Sequence, residues 1–162
     1  MKGVYVGADL GAMLFLGLQG PDFQPGPLVS LKVGYDLFDY RFFTTAVEMA
    51  GRFTIHDSSF YGGANESPPS FVMAMVDGKV KLGFHVSRRL VINAYGGGGY
   101  LMSDPPFQYA RDANRTYFLF GAGLEYYLHI RHLCAGLNPT VLGIDQLTGY
   151  AVLATGTIKY TW

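Results

Sequence analysis

Apolar and polar side chains alternate along almost the whole chain, which is the period of a strand whose two faces meet different surroundings. From Gly3 to Gly17 one face carries Val4, Val6, Ala8, Leu10, Ala12, Leu14 and Leu16, and the other Tyr5, Gly7, Asp9, Gly11, Met13 and Phe15. The same phase continues through seven further segments. The apolar faces run Val29 to Leu37, Phe43 to Ile55, Val72 to Val86, Leu90 to Met102, Phe118 to Ile130, Leu133 to Gly143 and Tyr150 to Trp162, and none of these alternate positions is charged. The opposite face carries five acids and five bases, Asp9, Lys32, Asp36, Glu48, Arg52, Asp77, Lys79, Lys81, Glu125 and Lys159, together with His56, His85 and His129.

The connections alternate in length. Short turns are predicted at Phe38-Asp39-Tyr40, Ser87-Arg88-Arg89 and Arg131-His132. Long Pro/Gly/Asn-rich loops are predicted at 18–27, 57–69 and 103–115, with a shorter one around 144–147. Eight strands joined in this way predict an all-β, antiparallel, up-and-down barrel, one transmembrane domain covering residues 1–162. Short turns face the periplasm and long loops the outside in such proteins.

Which face turns inward is decided by volume and by charge. The interior of an eight-stranded barrel is only just wide enough for its own side chains. The apolar face is too bulky for it, whereas the other face is studded with Gly7, Gly11, Gly34, Gly83, Gly97, Gly99, Gly121, Gly123 and Gly136. A single Lys or Arg against lipid near the midplane costs about 2–4 kcal/mol, so ten ionisable groups belong in the lumen, where opposite charges can pair. The expectation is a charged lumen plugged by ion pairs. These charges fill and specify the barrel; the rival reading is a proton or ion path through Asp9, Glu48, Arg52 and Lys81.

Composition narrows the function classes. Charged residues make up 15% of the chain and mean hydropathy is positive, too apolar for an ordinary soluble surface. Gly, Asp, Lys or Arg interrupts every apolar run before it reaches the length of a spanning helix, so a membrane would be crossed by strands closed into a barrel. Net charge is zero, which gives no case for a nucleic-acid partner. Cys134 is the sole cysteine, leaving no intramolecular disulfide and no zinc cluster. The chain opens on Met-Lys-Gly and runs into a strand without a secretory signal, so it reads as the mature segment of a bacterial outer-membrane protein given a start methionine.

The ending Ile158-Lys159-Tyr160-Thr161-Trp162 resembles the terminal signal read by the barrel assembly machinery, with Ile158, Tyr160 and Trp162 as its residues. The glycine usual five residues before the end is replaced by Thr157, with Gly156 preceding it. Further stretches are Gly3-Val4-Tyr5-Val6-Gly7-Ala8-Asp9-Leu10-Gly11, Val33-Gly34-Tyr35-Asp36 and Gly121-Ala122-Gly123-Leu124-Glu125-Tyr126. With that ending, they resemble the small outer-membrane barrels of the adventurous-gliding motility family (CglE-like). The resemblance implies a surface motility or envelope role, with other envelope or motility proteins as partners.

The remaining motifs carry weaker chemistry. His56/Ser58 and His85/Ser87 invite comparison with lipid A deacylases, yet nucleophilic catalysis needs base and hydroxyl in hydrogen-bond reach, and His85 falls near a short turn, far from lipid A. Gly96-Gly97-Gly98-Gly99 lacks the Lys-Ser/Thr ending and the following helix of a phosphate loop; it reads as a close-packed or kinked wall, with a concave outer patch for a partner or lipid. Phe23, Phe60, Tyr61, Phe107 and Tyr109 lie in the long loops, either as a contact surface or as a lid. Arg88, Arg89 and Arg131 lie at short turns, near lipid phosphates or simply in solvent. Tyr35, Tyr100, Tyr126, Tyr160 and Trp162 read as interfacial girdles. No catalytic, cofactor or metal site is expected. The expected function is a non-enzymatic structural or interaction barrel of the cell envelope, set against a lipid A-modifying hydrolase or a narrow pore.

Overall fold

A computed structural model describes residues 3–16, 24–40, 42–57, 70–104, 114–128, 132–145 and 149–162. Within them the alternating segments form eight strands: β1 (Val4–Leu16), β2 (Gly26–Tyr40), β3 (Phe43–Asp57), β4 (Ser70–His85), β5 (Leu90–Asp104), β6 (Asn114–Tyr127), β7 (Leu133–Ile144) and β8 (Tyr150–Thr161). Each pairs antiparallel with its chain neighbours, and β8 returns to β1, so the sheet closes in the order β1 to β8 with no free edge. The seam runs from Tyr5 opposite Thr161 to Leu16 opposite Tyr150, and the Trp162 amide donates to Val4 O at 3.1 Å. No described helix is long and apolar enough to cross a membrane.

Strand alternation sorts the side chains about the wall. Leu10, Leu31, Leu137, Phe118 and Ile158 point outward and are 61–69% exposed, while Asp9, Glu48, Arg52, Asp77, Glu125 and Lys159 point inward and are at most 5% exposed. The glycine quartet obeys the same rule. A Cβ on inward Gly97 or Gly99 would fall 2.1 Å from Gly78 O or Val76 O, whereas one on outward Gly96 would find its nearest neighbour, Leu119 O, at 3.7 Å. The wall is therefore close-packed on its inner side here, while its outer side is open at Gly96 and tighter at Gly98, where a Cβ would meet Tyr117 O at 3.0 Å.

Two features depart from the sequence reading. Strand β2 continues through Phe38-Asp39-Tyr40, which had read as a turn, because a bulge between Asp36 and Phe38 shifts the register. An extra residue reverses the phase of the strand beyond it, so Phe38 and Tyr40 face outward at 64% and 79% exposure instead of inward. The lumen is also charged over only part of its length. Its half nearest the long connections 17–25, 58–69 and 105–113 is filled by an apolar cluster that includes Met13, Leu28, Phe71, Met73, Met75, Leu101, Leu119, Leu142 and Leu153.

Candidate functional site

The ten ionisable side chains meet inside the barrel, and small residues make the room for them. Tyr5 on β1, Gly34 on β2 and Glu48 on β3 lie in one cross-strand row. The Tyr5 ring lies flat over Gly34, where a Cβ would sit 2.3 Å from Tyr5 Cζ, and its hydroxyl donates to Glu48 Oε2 at 3.0 Å. Tyr95 repeats the device across Gly121, reaching Pro139 O and the Thr140 hydroxyl at 2.9 Å each. Lys32 passes over Gly7 to reach the Asp9 carboxylate at 2.6 Å, and Ser30 also donates to Asp9 at 3.3 Å.

Charge is matched group by group. Arg52 donates through Nε and Nη2 to both oxygens of Asp77 at 2.7 and 3.0 Å, the bidentate fork that fits guanidinium to carboxylate. The Tyr117 hydroxyl adds a third bond to Asp77 at 2.9 Å. Lys79 pairs with Glu48, directly opposite on β3, at 2.7 Å. Glu125 on β6 accepts from two lysines, Lys81 on β4 and Lys159 on β8, the latter at 2.8 Å. Aromatic faces support the lysines, with Lys159 Nζ 4.7 Å from the Tyr5 ring centre and Lys79 Nζ 4.7 Å from that of Tyr95. Asp36 is the exception, buried nearby within the fields of Lys159 and Lys81 but without a direct ion pair among the described residues. Ion pairs stripped of water persist only when their hydrogen bonds are completed, and here tyrosines and partners on separate strands complete them.

The arrangement can brace eight strands against one another. The apolar cluster shuts the lumen above the charges, and residues toward the long-loop end of β1, β2, β4, β5, β6, β7 and β8 supply it. Strict alternation does not reveal this cluster, although the sequence carries a signal for it. At Phe71-Val72-Met73-Ala74-Met75 the polar face disappears, and an unbroken apolar run marks a stretch buried on one side and apolar on the other.

The histidine pairs are held in other ways. His56 is locked at the long-loop end by the Thr54 hydroxyl at 3.0 Å and Gln24 O at 2.9 Å, stacked on Phe71 with ring centres 5.3 Å apart. His85 Nε2 lies 3.3 Å from Asp39 Oδ1. Ser87 Oγ accepts the amides of Arg89 and Leu90 at 3.3 and 3.1 Å, which shapes the β4–β5 turn. Ser58, His129 and Arg131 lie outside the described residues, as do the loop aromatics Phe23, Phe60, Tyr61, Phe107 and Tyr109. Among the described residues no group of three His, Cys, Asp or Glu side chains is placed to hold a metal ion. Ile158 and Tyr160 on β8 and Trp162 just beyond it are exposed on the outside, and the Tyr160 and Trp162 rings meet edge to face at 5.4 Å.

A closed eight-stranded antiparallel barrel with an apolar outer wall and an ion-paired interior defines the structural class. Solved structures of small outer-membrane proteins superimpose on its fold. Neisserial surface protein A does so with a TM-score of 0.69 at 10% identity, covering 99% of this chain and 97% of that one. The outer membrane enzyme PagL gives 0.58 at 14% identity over 98% and 99%. Ail, the attachment invasion locus protein of Yersinia pestis, gives 0.54 at 12% identity over 98% and 97%. Neither a protein-family model nor a curated protein matches the sequence. The resemblance to gliding-motility barrels finds no support in these comparisons.

Proposed function

We propose that the chain is a non-enzymatic barrel of a bacterial outer membrane, the whole of residues 1–162 acting as one transmembrane domain that serves a structural or interaction role. The carrying observation is the outer wall. Leu10, Leu31, Met49, Phe118, Phe120, Leu137 and Ile158 lie 53–69% exposed around a closed sheet whose charges are all turned the other way through its middle. A soluble protein rarely exposes so continuous an apolar surface, whereas lipid covers it without penalty. The folds of Neisserial surface protein A, PagL and Ail support the placement in the outer membrane.

In this reading the lumen braces the wall, membrane lipid is the principal partner, and the barrel assembly machinery handles the chain through Ile158, Tyr160 and Trp162. The long loops, Phe23, Phe60, Tyr61, Phe107 and Tyr109 among them, present the contact surface for other envelope components. Ser87 shaping a turn and His56 wedged between Thr54 and Gln24 favour a non-enzymatic role over a lipid A hydrolase. The test has two parts. The folded barrel should sediment with outer membranes and migrate faster on gels before boiling than after, and lipid A from cells expressing it should keep its acyl chains by mass spectrometry. A soluble, heat-insensitive species defeats the barrel reading, and a lost acyl chain defeats the non-enzymatic one.

A further inference from the structure

Beyond the lumen network, a polar cavity of about 250 Å³ opens at the short-turn mouth, lined by Asp36, Asp39, Thr44, His85, Arg88 and Tyr127. One water needs only about 10–15 Å³ of such space, so the cavity has room for several waters or one small solute. Two opposite charges line it without partners among the described residues. Asp36 is 7% exposed, and its carboxylate makes no hydrogen bond or ion pair there, because Lys81 and Lys159 are both held on Glu125. The Arg88 guanidinium in the exposed β4–β5 turn likewise makes none, and the two do not pair with each other. The Tyr127 hydroxyl, in the same lining, has no hydrogen-bond partner among the described residues, while His85 faces Asp39.

The Asp36 carboxylate opens onto this narrow mouth, and with no donor from the described residues it gains from a cation that reaches it there. A guanidinium at the rim offers a planar fork for two anionic oxygens. A lone cation would leave Arg88 unused, and a lone anion would meet Asp36. From this we infer that the mouth binds a compact zwitterion, its primary ammonium seated on Asp36 and its phosphate or carboxylate oxygens on Arg88, with Tyr127 completing the cradle. A phosphoethanolamine group has this chemistry, either as a free solute or as the headgroup of a phospholipid. The site stands on the geometry of the mouth, and only its lipid source rests on the membrane placement proposed above.

The test uses the full chain in nanodiscs of phosphatidylcholine and phosphatidylglycerol, which lack a primary ammonium, with the His85 ring followed by NMR. One arm titrates free O-phosphoethanolamine, and the other replaces part of the lipid with phosphatidylethanolamine. A saturable His85 shift is expected in at least one arm, with glycerol phosphate giving none. Arg88→Gln and Asp36→Asn should each weaken binding at least tenfold. A response to the free compound alone assigns the site to a solute, and a response to the lipid alone assigns it to a headgroup. Silence in both arms, or binding that survives both substitutions, overturns the proposal. Should Asp36→Asn fail to fold, Arg88→Gln on the exposed turn and the ammonium-free analogue still decide it. Heat-modifiable migration of the same sample reports separately on whether the barrel formed.

Discussion

Arg52 and Asp77 show what an ion pair inside the barrel contributes. Both side chains are almost fully buried, and Asp77 holds Arg52 at two points and Tyr117 at a third. Asp77→Ala strands a guanidinium away from water, and breaking a buried pair in this way costs about 3–5 kcal/mol. Urea unfolding from lipid vesicles should show a loss of that size. Replacing both partners together, Arg52→Met with Asp77→Leu, should restore most of it, since well-packed apolar substitutes for a buried pair are commonly neutral or better. A double variant as unstable as the single one would mean that Arg52 and Asp77 are held by other groups. The alternation of the chain places each of these charges on the inner face. Which acid meets which base was not legible, because Lys81, Lys159 and Glu125 converge from β4, β8 and β6, and their meeting depends on closure rather than on spacing.

The strands carry a second pattern, in which glycines divide by face. Inner Gly34 is the floor on which Tyr5 lies, so Gly34→Ala drives a methyl into a fully buried ring. Overpacking of this kind costs about 1–3 kcal/mol. Outer Gly51 has open space where a Cβ would go, and Gly51→Ala should leave stability within about 0.5 kcal/mol of the parent in the same unfolding assay. At the last strand, Trp162 donates its amide to Val4 O at the seam and packs edge to face on Tyr160. Deleting Trp162 should lower the yield of assembled, heat-modifiable barrel in cells while detergent refolding of the purified chain is kept. Equal loss in both settings would make Trp162 a stability residue rather than an assembly signal. Strand number and phase were readable from the period-two pattern. The bulge at Asp36 was not, since an extra residue in β2 is visible only against its partner β3. The swap of Phe38 and Tyr40 to the outer face is a consequence of that bulge.

For the molecule as a whole, two plugs of different chemistry fill one lumen, ion pairs toward the short turns and Met, Leu and Phe side chains toward the long loops. Alternation alone suggested the first and obscured the second, because positions such as Met13, Met73 and Leu101 are inward yet apolar. A barrel closed in this way should give no discrete channels in planar bilayers, and stable unitary steps would reopen the narrow-pore reading. An outer wall of Leu, Val and Phe has to meet lipid, and tryptophan quenching by brominated lipid reads that directly. In a Trp162→Phe background, single tryptophans at Leu31→Trp and Phe118→Trp, where the native side chains are 69% and 61% exposed, should be strongly quenched. Phe71→Trp, whose native ring is 2% exposed inside the lumen, should be protected. The opposite order of quenching would put the charged face against lipid and overturn the assignment of inside and outside.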